Sequence, residues 1–514
     1  MEHRAKASTT LLDSPPVAGT VPELLAGAVH ESPDAPAIRD ADGVWSYREL
    51  AEAAQAFAGW LRRQGVRRGD RVVAQLPSRR ELVAMFYGTV QTGAIFVPLN
   101  PAMKPYHLRG VLENAEPVLI VAADEAVAGI KELASVPVLA SSDVWSEVET
   151  PRAGPDPAGT GYIRPDDVAV LVYTSGSTAA PKAVVCPHGQ ATFASRSIQQ
   201  VLGYRPDDVV FCRFPLSWDY GLYKVLLACL GRSELVLAGE ESDLVLLRRM
   251  RETGATVVPI VPSLATMIAT LAARDQEPPP PVRMFTNTGA ALPQSTIDAL
   301  RAAFPGVRVV RQFGQTECKR ISIMPPEQDR ERPQSVGLPL PGTEVLILGP
   351  DGETLPAGQV GEIVVAGPHV MPAYWNAPEV SAKTFRPDPV TGARRLHTGD
   401  YGSLDADGYL YFDGRRDDMF KRKGIRMSTL EIEAAAMDVP GVTAACAVPP
   451  GDGHDLVLFV SGDVAPHGVL REISRRLEPA KVPSVCRVLA EFPLTAHGKN
   501  ARQTLTRMLE EESR

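Results

Sequence analysis

The sequence predicts a layered α/β protein: a large N-terminal domain of largely parallel sheet ending in a small β-subdomain, followed by a small mobile α+β domain. Three observations predict it. Strand-like and helix-like segments alternate to about residue 300, short strands parted by Gly/Pro/Asp turns begin near Val336, and a charged junction near Asp413 precedes a tail with its own strands and helices. A chain of 514 residues exceeds one ordinary core, which itself calls for at least two domains.

Taken in order, residues 1–20 are polar and aperiodic and read as a flexible N-terminus; residues 21–413 form the large domain and residues 414–514 the small one. After Trp45, Ser46 and Glu49 make a capping box, and Leu50, Ala53, Ala54, Phe57 and Leu61 repeat on one helical face. Arg71–Leu76 reads as a strand, Glu81–Thr92 as a helix, and the apolar run Ala94–Leu99 as the next strand. Beyond Val336, strands are expected at Glu344–Leu348, Gly361–Ala366 and Gly408–Phe412. In the tail they are expected at Val442–Val448 and Leu456–Val460, with helices at Leu430–Met437 and Val469–Leu477.

Composition excludes several classes. A hydrophobic fraction of 44% with 22% charged residues is that of a folded soluble enzyme, and a net charge of −8 argues against nucleic-acid binding. The longest apolar stretch, Val257–Ala273, is broken by Pro259, Pro262 and Ser263, so no membrane span is expected; the N-terminus has no apolar core of a signal peptide. Six scattered cysteines without a C-x-x-C pair, and histidines without H-E-x-x-H spacing, point to a reducing cytoplasm rather than to disulfides or zinc.

Chemistry concentrates in a few segments. The buried strand Val168–Tyr173 delivers Thr174, Ser175, Gly176, Ser177 and Thr178, with Lys182 behind Pro181: hydroxyls and backbone N–H groups suited to phosphate oxygens, and a lysine to neutralise them. It is not a Walker loop, which disfavours kinase chemistry, and a Ser/Thr-rich surface turn is the plainer alternative. Gln312-Phe313-Gly314-Gln315-Thr316-Glu317 sets a hydroxyl beside a carboxylate after a short strand. His397-Thr398-Gly399-Asp400 sets an aspartate in what reads as a tight turn, able to accept from a ribose diol. Gly414–Arg426 is a charged junction, and Pro493–Lys499 presents a lysine on a glycine turn.

In order and spacing these segments, together with Gln91–Pro101, resemble the adenylate-forming superfamily of acyl-CoA synthetases, peptide-synthetase adenylation domains and luciferases, from about Val21 to Arg502. The resemblance implies ATP, Mg2+ and CoA, or a carrier protein's phosphopantetheine, as cofactors. The loop Thr174–Lys182 would close on the β- and γ-phosphates, Thr316 would touch the α-phosphate, and Glu317 would hold Mg2+. Gly289 and Ala290 would lie against adenine, with Gln312, Phe313 and Gly314 also on the nucleotide; Asp400 would bind the ribose, flanked by Phe412 and Arg415. Lys499 would bridge the substrate carboxylate, the ribose and the α-phosphate, and one compact ammonium suits that task better than a guanidinium. The small domain would swing about Asp417 and bring Gly424 to a pantetheine arm.

The chain departs from the family at Ala179 and Ala183, where glycine is usual and where alanine narrows access to positive φ. His497 stands where asparagine is frequent, and Gly289-Ala290-Ala291 lacks an acidic residue found in many relatives.

Phe214–Tyr223 matches the segment lining the acyl pocket. There Asp219 pairs with a substrate ammonium or bonds local backbone, while Trp218, Tyr220 and Tyr223 line the pocket or belong to the core. The expected activity is ATP-dependent acid–thiol ligation through an acyl-adenylate, with CoA as acceptor. The alternatives are loading of an amino or related acid onto a separate carrier protein and an inactive nucleotide-binding paralogue. Expected partners are a small carboxylic acid and CoA or an acyl carrier protein, without nucleic acid; a homodimer stays open.

Overall fold

The computed structural model describes residues 18–150, 162–174, 182–239, 242–415, 419–422, 425–451, 454–477, 479, 481–493 and 502–512. The capping box forms as the sequence predicts: the Ser46 side chain accepts from the Glu49 amide, the Glu49 side chain accepts from the Ser46 amide, and the helix Tyr47–Arg63 follows. Its buried face packs on the helix Arg80–Gln91, where a Cβ on Gly88 would lie 2.6 Å from the Ala54 carbonyl oxygen; only glycine permits that approach.

Two large sheets form the body. In the first, six strands run in the order Val138–Ala140, Leu119–Ala122, Arg71–Gln75, Ile95–Leu99, Val168–Thr174 and Lys182–Pro187, all parallel except the last pair. The second is nine-stranded, with parallel strands from Arg308–Phe313 through Met284–Asn287, Val257–Ile260, Val209–Cys212 and Glu234–Leu237 to Pro36–Arg39, and antiparallel strands at both edges. Strands buried on both faces are continuous apolar runs, as in Val257–Ile260, which is why they announce themselves in sequence. Each fully buried Leu or Phe in this core contributes about 1.5–3 kcal/mol.

A five-stranded antiparallel sheet follows, including Glu344–Leu348, Gly361–Ala366, Arg394–Leu404 and Leu410–Arg415. The tail has a separate core around Ile432, Leu458, Val460 and Ile473, against a sheet of Val442–Val448, Val457–Gly462 and Val485–Val488.

Three expectations change. Gly19 and Thr20 are pinned: the Gly19 amide donates to Thr192 Oγ1 at 2.9 Å, and Thr20 caps the helix Val21–Glu31. Asp400 lies within the 11-residue strand Arg394–Leu404 instead of a tight turn; a bulge opposite Glu362–Val364, with Gly399 at φ 70°, gives the chain its local bend. The expected boundary between residues 413 and 414 falls inside the strand Leu410–Arg415. Val257–Ala273 divides into a strand and the helix Pro262–Ala272, and among the described residues no helix is long and apolar enough to cross a membrane. All six cysteines are free and buried.

Candidate active site

The site gathers where the parallel strands of the second sheet end, the usual place for ligands in open α/β sheets. Strand Met284–Asn287 runs out into Gly289 and Ala290, both exposed. Asn287 Nδ2 donates to the Ala290 carbonyl at 2.8 Å, and Gly289 adopts φ 87°. The next strand, Arg308–Phe313, ends at Gly314, where a Cβ would stand 2.6 Å from Arg320 Cα and from the Lys319 carbonyl oxygen; the chain therefore turns back sharply only because residue 314 is glycine. Phe313 meets Phe412 from the five-stranded sheet, ring centroids 4.8 Å apart, joining two sheets at one spot. Asp400 is buried beside them, accepts from Arg415 Nε at 3.1 Å, and its strand is tied to the turn by Gln315 Nε2 donating to the Thr398 carbonyl at 3.4 Å.

Thr174 and Lys182 stand opposite each other as the last paired residues of their hairpin. Residues 371–375 link that hairpin to Glu317: the Trp375 amide donates to the Ala183 carbonyl at 2.8 Å, and the Met371 amide donates to the Glu317 carbonyl at 2.9 Å. The Tyr374 hydroxyl donates to Glu317 Oε1 at 2.6 Å. Burial, then the adjacent Glu317 carboxylate, push the Tyr374 hydroxyl well above its ordinary value, so it stays a donor. Thr316 lies half-buried in the same turn. Ala183 sits inside the strand Lys182–Pro187 and is absent from the positive-φ positions, so an alanine there costs no backbone strain.

A second group lies behind this face. Asp219 begins the helix Asp219–Gly231, with Trp218 as its N-cap residue; Asp219, Tyr220, Tyr223, Lys224, Gln312, Lys319 and Arg320 line one small cavity. Gln312, expected on the nucleotide, faces this cavity: its Oε1 accepts from Arg320 Nε at 2.7 Å. Lys224, Lys319 and Arg320 are 2%, 1% and 7% exposed, and among the described residues none of them forms a salt bridge. They rest instead on aromatic faces. Lys224 Nζ is 4.4 Å from the Tyr220 centroid, the Arg320 guanidinium 5.0 Å from the same ring, and Lys319 Nζ 4.7 Å from Tyr223. Burial, then the Arg320 charge, lower the Lys224 ammonium to about 7. Lys319 Nζ also donates to Cys186 Sγ at 3.5 Å, and Lys319 holds a left-handed φ of 68°, rare for a side chain with a Cβ.

Ser175, Gly176, Ser177, Thr178, Asp417, Gly424 and Lys499 lie outside the described residues. Sequence reasoning missed Lys224, Lys319, Arg320, Gln315 and Tyr374. A signal existed for some of them: Lys224 interrupts the apolar run Leu222–Leu230, and Lys319-Arg320 closely follows Thr316-Glu317.

A parallel-sheet body carrying this turn, hairpin and aspartate defines an adenylate-forming enzyme. The sequence matches the AMP-binding enzyme family over residues 25–375, and the chain belongs to that family, whose members use ATP. Among solved structures it is similar to VinN (54% identical, covering 78% of this chain and 100% of that one, TM-score 0.74), which has also been solved with L-aspartate and with 3-methylaspartate. It is 29% identical to the Delta-poly-L-ornithine synthetase of Acinetobacter baumannii over 94% of this chain, yet spans only 36% of that protein's length. It is 29% identical to the sulfoacetate–CoA ligase of Cupriavidus necator, over 96% of this chain and 98% of that one.

Proposed function

We propose that the chain activates an amino acid bearing a second carboxylate, aspartate or a close homologue, as its adenylate with release of pyrophosphate, and passes it to the phosphopantetheine thiol of a carrier protein. One observation carries this reading: Asp219 shares a buried cavity with Lys319 and Arg320, an acceptor for an ammonium set among donors for a carboxylate. Buried cations without a carboxylate partner are costly unless an anion arrives to meet them. The complexes of VinN with L-aspartate and 3-methylaspartate support the same substrate class.

In this reading Asp219 fixes the ammonium and Lys319 and Arg320 fix one carboxylate, which leaves the other free to attack the α-phosphate. Asp400 holds the ribose, Phe313 and Phe412 form the wall beside it, and Gly289–Ala290 lie along the base. Thr174, Ser175, Gly176, Ser177, Thr178 and Lys182 enclose the outer phosphates, Thr316 contacts the α-phosphate, and Lys499 neutralises charge as the new bond forms. Asp417 and Gly424 serve the swing to the thiol step. Glu317 suits Mg2+, since Tyr374 occupies one carboxylate oxygen and the other accepts nothing among the described residues. Bound there, Mg2+ would offset phosphate charge.

CoA as acceptor is the second reading, favoured by the end-to-end match to the sulfoacetate–CoA ligase, whose own substrate also carries a second anion. Pyrophosphate release with L-aspartate and 3-methylaspartate, followed by mass measurement of a carrier protein and of CoA, decides both points. No release with either acid removes the substrate reading, and a CoA ester with an unloaded carrier removes the carrier.

A further inference from the structure

Asp219, Lys319 and Arg320 have tasks in the acid cavity under the proposed function; Lys224, the remaining charged group there, has none, and a role for it rests on that same acid reading. The helix Asp219–Gly231 sets Tyr220, Lys224 and Leu227 along one face, so the Lys224 stem runs behind Tyr220 and its ammonium stands over the ring. Tyr220 does not yield: its hydroxyl donates to the Thr286 carbonyl at 2.6 Å, and Arg320 also packs on its ring. The only hydrogen-bond partner of Lys224 Nζ among the described residues is the Tyr204 hydroxyl at 3.4 Å, a weak acceptor at that length. A methionine or leucine would fill this position at lower cost than a buried ammonium. The charge therefore answers to something outside the chain.

We propose that Lys224 is a specificity-determining residue of the acid pocket: its buried ammonium beneath Tyr220 supplies the positive charge that makes an acid with a second carboxylate preferable to its amide. It acts through Tyr220 and the shared cavity as a positioning residue. The groups facing it are Asp219, Tyr220 and Tyr223 on its own helix, Tyr204 before the strand Val209–Cys212, Cys212 at the end of that strand, and Lys319 and Arg320 from the turn. Arg320 disfavours its charge; Asp219 favours it; Cys212, raised to about 11 by burial, remains a neutral thiol.

With the ammonium near 7 in the free protein, an arriving carboxylate raises it, so binding draws up to one proton from solvent onto Nζ over the interval above 7. Well below 7 the ammonium is already charged and no proton is taken up. At high pH it stays neutral in both states, and the preference for the anion fades.

The test is calorimetric titration of the full chain, holding a non-hydrolysable ATP analogue, with L-aspartate and with L-asparagine in two buffers of different ionisation enthalpy. Expected are proton uptake with aspartate near pH 7.5 that exceeds uptake with asparagine, loss of that difference in Lys224→Met, and about a tenfold drop in aspartate-over-asparagine preference. Lys224→Arg should keep the preference and lose its pH dependence. An aspartate-over-asparagine preference left unchanged in both Lys224→Met and Lys224→Gln overturns the proposal and leaves the acid reading standing. Failure to bind aspartate at all, together with no pyrophosphate release, overturns both.

Discussion

The proposed nucleotide face and the proposed acid pocket are two sides of the same strand end, built from opposite materials. Phe313 turns toward Phe412 and the exposed glycine turns, while its neighbour Gln312 turns toward buried Arg320, the alternation a strand imposes. The first side is made of loops, backbone groups and one buried aspartate. The second is made of long charged side chains with almost no exposure, drawn from a helix and a turn about a hundred residues apart along the chain. A surface that meets the same nucleotide in every relative needs backbone shape; a pocket that chooses one acid needs side-chain charge placed in low dielectric.

Four substitutions test that contrast. Lys499→Ala should lower adenylate formation by about 1000-fold yet leave transfer from supplied acyl-adenylate to thiol largely intact, since in the proposed function its charge serves only the first step; equal loss in both half-reactions contradicts that role. Asp219→Ala should cost about 100-fold in kcat/KM for the amino acid with KM for ATP unchanged, and unaltered kinetics would remove Asp219 from the ammonium. Lys319→Met should lower kcat/KM for aspartate by about 30-fold and narrow its advantage over the amides, with ATP binding retained. Tyr374→Phe, on the nucleotide side, deletes only the hydroxyl that holds Glu317, so a loss of about tenfold, relieved by raised Mg2+, is expected in pyrophosphate release.

Far from both sides, Ser46→Ala should cost about 1 kcal/mol in denaturant unfolding and nothing in turnover, because its only work is the helix cap.

The same contrast explains what the sequence disclosed. The buried strands and the Ser46–Glu49 cap were readable because local pattern and packing agree there. Gly314, Thr316 and Glu317 stand out in the sequence because a tight turn forces particular residues into a short run. Asp400 itself was placed in a turn because a bulge inside a long strand leaves the same Thr-Gly-Asp signature as a loop. The cations of the proposed acid pocket are only faintly legible: Lys224 interrupts an apolar run, yet a lysine in sequence looks solvated, and it is the packing on Tyr220 and Tyr223 that shows Lys224 and Lys319 to be buried. Gln312, expected on the nucleotide, accepts from Arg320 Nε, and one residue along a strand reverses the face it presents.

The charge-matched acid pocket is tested most directly by pyrophosphate release from ATP with L-aspartate set against succinate, L-asparagine and isoasparagine, each lacking one of the three charges. Aspartate should exceed every analogue by about 100-fold or more: without the ammonium or the carboxylate held by Lys319 and Arg320 a pocket charge is stranded, and without the other carboxylate the attacking nucleophile is gone. An analogue without the ammonium or without one carboxylate that matches aspartate would contradict it.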